Sequence, residues 1–260
     1  MTVDVAAAGT AAPRRRMPIA ETSTLLAVAA AAWLGTIVLA RGMGLMPGTM
    51  GLGLLGFVGV WALMMAAMML PSVTPFATLY ARGVHDQRPL RIGLLAVGYL
   101  LVWSVVGVPA FGLARIAGDI ADNHPSLATA AAVAIFAGCG IYQLTPLKDR
   151  CLVRCRSPLG QLMHYSSYRG RTRELRIGIH HGTYCFGCCW ALMALLVAFG
   201  VMNVAAMVVL AVIVLVEKAN AHGQGFARLV GIAALVLAVL VIWEPALAPG
   251  LHASHPMGGM

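Results

Sequence analysis

Ten residues, His180-His181-Gly182-Thr183-Tyr184-Cys185-Phe186-Gly187-Cys188-Cys189, hold three thiols and two imidazoles. Soft and borderline metal ions prefer these side chains, and a Cys-x-x-Cys spacing lets two sulfurs reach one ion. On a helix Cys185, Cys188 and Cys189 share a face, because positions three and four apart are neighbours. His181 precedes Cys185 by one turn on that face, and His180 is a further candidate beside it. A second pair lies in the basic run Lys148-Asp149-Arg150-Cys151-Leu152-Val153-Arg154-Cys155-Arg156. The i, i+4 spacing of Cys151 and Cys155 suits one helical face, and flanking arginines are expected to lower their pKa toward the ligating thiolate. Spacing alone leaves open whether the two groups make one site or two. Glu217, beside Lys218, can complete a coordination shell or pair with an arginine of the 148–176 segment. The expected chemistry is metal ligation.

Weaker candidates surround this core. Met64/Met68 and Met65/Met69 stack as two pairs on one helix. Thioethers select Cu(I), so the added methionines favour copper over zinc. Methionine also fills helix interfaces, and by itself the stripe reads as core. Pro71 and Pro75 are expected to end or kink that helix. His164 stands near Tyr165 and Tyr168. The tail His252, His255, Met257 and Met260 resembles copper-capturing tails of oxidising compartments. Neither a phosphate-binding glycine loop nor a serine-hydrolase or His-Glu-x-x-His motif occurs. No span interior holds the facing histidines that a haem requires.

The elements that carry these residues must lie in a bilayer. Of 260 residues 60% are hydrophobic and only 10% charged, and the mean hydropathy is +0.85. A soluble domain carries about 25% charged residues, so the chain is expected to be an integral membrane protein. Seven apolar segments approach the roughly 20 residues that cross the hydrocarbon core, near 24–40, 53–72, 91–114, 127–147, 179–201, 203–218 and 226–244. The fifth and sixth are parted only by a tight hairpin at 200–203. With the N-terminus in the cytoplasm, every lysine and arginine except Arg41 and Arg115 falls inside, as the positive-inside rule requires. That topology puts the thiols on the reducing side and the C-terminus in the periplasm. The net charge of +9 therefore reports topology, with no nucleic-acid partner. The expected organisation is an all-α polytopic transmembrane bundle of about seven helices. A cytoplasmic tail (1–23) precedes one transmembrane domain (24–244) with a basic loop at 148–176. A His/Met-containing tail (245–260) follows.

One pattern runs through these motifs: Trp61-x2-Met64-x2-Ala67-Met68-Met69-x-Pro71, Tyr142-Gln143-x2-Pro146-x-Lys148-x2-Cys151-x3-Cys155, His181-Gly-x-Tyr-Cys185-x-Gly-Cys188-Cys189-Trp190 and Glu217-Lys218. It resembles a bacterial family of metal-binding integral membrane proteins, a domain of unknown function sometimes labelled copper chaperone. The resemblance covers about residues 50–220. It implies an inner-membrane protein that handles copper, by delivery, export or assembly of a copper enzyme, with a copper protein or soluble subunit as partner. The alternative is a component of a membrane-bound copper-dependent oxidoreductase or oxygenase. That reading needs several histidines around one ion, which the sequence does not cluster.

Overall fold

The computed structural model describes residues 19–43, 48–84 and 86–251. The arginines at 14–16 and the tail residues His252, His255, Met257 and Met260 lie outside them. The described residues form nine α-helices and no strand: α1 (Ile19–Met43), α2 (Leu54–Arg82), α3 (Arg88–Asn123), α4 (Pro125–Gln143), α5 (Pro146–Arg156), α6 (Pro158–Tyr165), α7 (Arg173–Phe199), α8 (Val204–Ala219) and α9 (Gly223–Trp243). Helices α1, α2, α3, α4, α7 and α9 are long and apolar enough to cross a membrane. The sixteen-residue α8 is shorter than that. It starts beside the end of α7 and runs back to the level of Cys185, where Lys218 meets that thiol and Arg156 of α5 donates to the Asn220 and Ala221 carbonyls. The expected all-α helical bundle is observed, with six candidate membrane spans among the described residues against the seven or so expected.

Close backbone approaches set the helix positions. A Cβ on Gly178 of α7 would stand 2.1 Å from the Leu95 carbonyl oxygen, and one on Gly98 of α3 would stand 2.3 Å from that of Leu175. The contacts Arg91–Glu174, Tyr99–Cys185 and Trp103–Phe186 advance together along both helices, so α3 and α7 are parallel neighbours, packed through small residues as membrane helices commonly are. Gly140 and Gly231 do the same for the antiparallel pair α4 and α9. The hairpin expected at 200–203 is present. Gly200 takes φ 93°, in the left-handed region open to glycine, and the Asn203 side chain caps α8 by accepting from the Ala206 amide.

Two expectations are narrowed. Pro71 and Pro75 do not end α2, which runs on to Arg82. Proline frees carbonyls one turn earlier, and membrane helices tolerate it where side chains take them up. The freed carbonyls are those of Ala67 and Pro71, and within the same stretch Ser72 and Thr74 donate to the neighbouring Met69 and Leu70 carbonyls. The 148–176 segment is likewise not a plain loop, because it begins with α5 and α6. Thr145 caps α5 by accepting from the Lys148 amide, and Pro146 opens it. Pro158 opens α6. A stripe of Lys148, Cys151, Leu152 and Cys155 then faces the bundle, while Arg150 and Arg154 stay outside.

Candidate metal centre

Helix α7 carries the thiols on the face it buries, so Cys185, Cys188 and Cys189 are all shut off from solvent. Their sulfurs lie within 4.8 Å of one another, and Cys188 Sγ is 3.2 Å from Cys189 Sγ. One ion bound at about 2.3 Å from each sulfur fits sulfurs this close. From α5, Cys155 Sγ comes to 3.7 Å from Cys188 Sγ. Cys151 sits against Gly187, where a Cβ would stand 2.8 Å from its sulfur. The two cysteine groups of the sequence are thus one neighbourhood, with Cys151 and Cys155 half-buried at its edge. Cys139, in α4, stands apart from it in the chain and is buried as a free thiol.

Burial pushes the Cys151 thiol up, against the pull of Arg154 and Lys148 toward thiolate. The expectation that arginines dominate this thiol is corrected. Packing against α7 withdraws the sulfur from water, and burial disfavours the charged form.

The polar groups around the thiols come from four helices. The Lys218 ammonium of α8 donates to Cys185 Sγ at 3.0 Å and to Ser72 Oγ at 3.0 Å. The Tyr99 hydroxyl of α3 lies 2.9 Å from the same sulfur. Lys218 thus places a cationic nitrogen directly on a candidate ligand sulfur, and it is a group the sequence reading had not assigned to the site. Ser72 also donates to the Met69 carbonyl, which links the methionine helix to the thiols. Met64, Met65, Met68 and Met69 are themselves fully buried.

Glu217 is fully buried, and both its oxygens are taken. Gln143 Nε2 donates to one at 2.8 Å and Lys148 Nζ to the other at 2.7 Å. The partner is therefore Lys148 rather than an arginine. Lys148 also donates to the Cys188 carbonyl, and Tyr142 to that of Gly187. This buried pair clamps α5 and α8 to the backbone of the cysteine motif.

The adjacent histidines diverge. His181 is buried and stacks on Phe76, with ring centroids 4.6 Å apart. Gln161 donates its Nε2 to the Arg154 carbonyl, so its Oε1 faces His181 Nδ1 and accepts that nitrogen's proton. His181 Nε2 is then the unprotonated atom, in the turn before Cys185. A partner on one ring nitrogen that fixes the tautomer and frees the other is the usual arrangement of a ligating histidine. His180 instead lies half-buried among aromatic rings, 3.0 Å from the Tyr165 hydroxyl through Nδ1 and stacked near His164.

A family model described as PpoB2, copper chaperone, matches residues 58–241. The chain belongs to that family. The matched stretch holds every thiol, His181, Lys148, Glu217 and Lys218, so the cluster lies wholly within the family's own region. The resemblance read from the cysteine and methionine motifs is confirmed. No match was found among curated proteins or among solved structures.

Lys218, Tyr99, Gln143 and Gln161 were missed as site residues. Lys218 left a signal, being an ionisable residue at the end of an apolar helix. Tyr99 left none, since a tyrosine in an apolar span reads as an interface residue.

Proposed function

We propose that the protein is a copper-handling protein of the bacterial inner membrane. In this reading Cys185, Cys188 and Cys189 hold Cu(I) as cargo and pass it to a copper protein. The observation that carries the reading is the closely spaced set of three buried thiols with an ammonium on one of them. A set of three soft sulfur donors suits Cu(I) and leaves no obligatory place for water. Three thiolates around a monovalent ion leave two negative charges, and Lys218 offsets one of them. Cys155, half-buried and within reach of Cys188, gives a ligand-to-ligand step between the surface and the buried thiols. His181 Nε2 is an auxiliary donor.

The oxidoreductase alternative is not favoured by the imidazoles. His181 lies beside the thiols, whereas His180 and His164 belong to the tyrosine cluster, and oxygen-activating copper needs several imidazoles on one ion.

Elemental mass spectrometry of the detergent-purified, reduced protein tests the reading. Wild type is expected to carry about one copper per chain, and the Cys185→Ser/Cys188→Ser/Cys189→Ser variant none. Equal copper in both would remove the thiols from the site. Zinc in place of copper would make the site structural.

A further inference from the structure

At the N-terminal turns of the parallel helices α3 and α7 lies a cavity of about 470 Å³. Arg91, Arg169, Arg171 and Arg173 line it, with Glu174 as the one carboxylate. Glu174 is already committed, since it accepts from Tyr80 at 3.0 Å and from Arg91 at 3.3 Å. Four arginines thus line a cavity that holds one carboxylate, a surplus of three positive charges. Arg173 lies over the Tyr80 ring, and its Nε is buried with no acceptor among the described residues. A buried donor without a partner is costly, and an anionic acceptor would satisfy it. Gly170, at φ 97°, makes the turn between Arg169 and Arg171, and all three line the cavity.

The same cavity has an apolar side. Leu90 and Leu94 line it from α3, and Val97 and Leu101 continue their stripe one and two turns along the helix. Leu90, Val97 and Leu101 are exposed, on a helix long and apolar enough to cross a membrane. We propose that this cavity binds the phosphodiester headgroup of an anionic phospholipid, with an acyl chain laid along Leu90, Leu94, Val97 and Leu101. Arginine pairs bidentately with phosphate oxygens, and basic pockets between membrane helices bind such headgroups. A free phosphate has no use for the apolar stripe, which is what selects a lipid. The site is remote from the thiols, because Glu174 precedes Cys185 by roughly 16 Å of helix. It therefore stands whether or not copper is the cargo.

The test is binding of a fluorescent phosphatidylglycerol to the full chain in neutral-detergent micelles, with phosphatidylcholine and inorganic phosphate as competitors. Saturable binding is expected, weakening with added salt and displaced at least tenfold less well by phosphatidylcholine. Arg171→Gln and Arg173→Gln should each weaken it by roughly fivefold, the share of one basic group near an anionic lipid. Arg228→Gln, outside the cavity, should leave it unchanged. Equal displacement by phosphatidylcholine overturns the proposal. So does displacement by millimolar inorganic phosphate, which would make the site one for the free anion. Both comparisons use wild type, so a variant that fails to fold does not spoil them.

Discussion

Lys148 and Glu217 meet at 2.7 Å with neither side chain reaching solvent. Burial works to lower the lysine's pKa, yet the Glu217 carboxylate above all, with the neighbouring Cys189 and Cys188 sulfurs, outweighs it and holds the ammonium above the ordinary lysine range. With a folded pKa raised, the lysine's stabilisation is complete below the unfolded value of about 10.4. It is lost only as pH rises through the higher folded value, so the clamp is intact at any physiological pH. Removing one member strands the other. Lys148→Met is expected to destabilise the protein by about 3–5 kcal/mol, whereas Lys148→Met combined with Glu217→Met should recover most of that loss. Thermal unfolding in detergent, followed by tryptophan fluorescence, measures both variants. A double variant as unstable as the single one would show that the pair does not act as a unit. The strength of the clamp bears on function because Lys148 and Tyr142 hold the Cys188 and Gly187 carbonyls, and so hold the sulfurs in register.

At the scale of elements, the site depends on α3 standing close enough to α7 for Tyr99 to reach Cys185. Gly178 permits that approach. Its added Cβ would meet the Leu95 oxygen at 2.1 Å and the Tyr99 amide at 2.9 Å, both rigid backbone. Gly178→Ala must therefore push the helices apart, which overpacking data put at about 1–3 kcal/mol, and carry Tyr99 away from the sulfur. The expected result is a lower unfolding temperature together with reduced copper occupancy. Gly138→Ala, where the added Cβ meets nothing within 4 Å, should be neutral or slightly stabilising and keep full occupancy. Unaltered copper in a destabilised Gly178→Ala would separate packing from the site. The sequence revealed much of this arrangement and missed part of it, for identifiable reasons. The three thiols of α7 were legible because three- and four-residue spacing maps directly onto one helical face. The place of Cys155 at Cys188 was not, because it depends on α5 folding back, and α5 reads as a basic loop when only its charges are weighed. The Thr145-Pro146 start and the Lys148, Cys151, Leu152, Cys155 stripe were the overlooked signals. Lys148 itself was counted among surface cations, since only tertiary contact reveals that its partner is Glu217, 69 residues away.

For the whole molecule, the order of ends decides which tail lies on which side. Helices α3 and α7 run parallel from the arginine-rich end. Helix α8 returns toward that end, and α9 leaves it again beside α4. A helix of sixteen residues is about 24 Å long, short of the roughly 30 Å hydrocarbon core. Yet α8 bears exposed Val208, Val209 and Val212 midway and the buried Glu217 at its finish. A crossing by so short a helix would require local thinning of the bilayer. If α8 were a seventh crossing beside the six long apolar helices, the two tails would lie on opposite sides, and the positive-inside rule would put the arginine-rich end in the cytoplasm. Paired fusions to alkaline phosphatase and to a fluorescent protein test the order. Junctions after Gly170 and after Asn220 should fluoresce, and junctions after Val201 and after Leu251 should show phosphatase activity. If α8 does not cross, the junctions after Val201 and Asn220 will report the same side. If the orientation is reversed, all four reporters will exchange. Cu(I) and free thiols are stable in the reducing compartment, so reversal would also put the half-buried Cys151 and Cys155 in an oxidising one and undercut copper capture by reduced thiols.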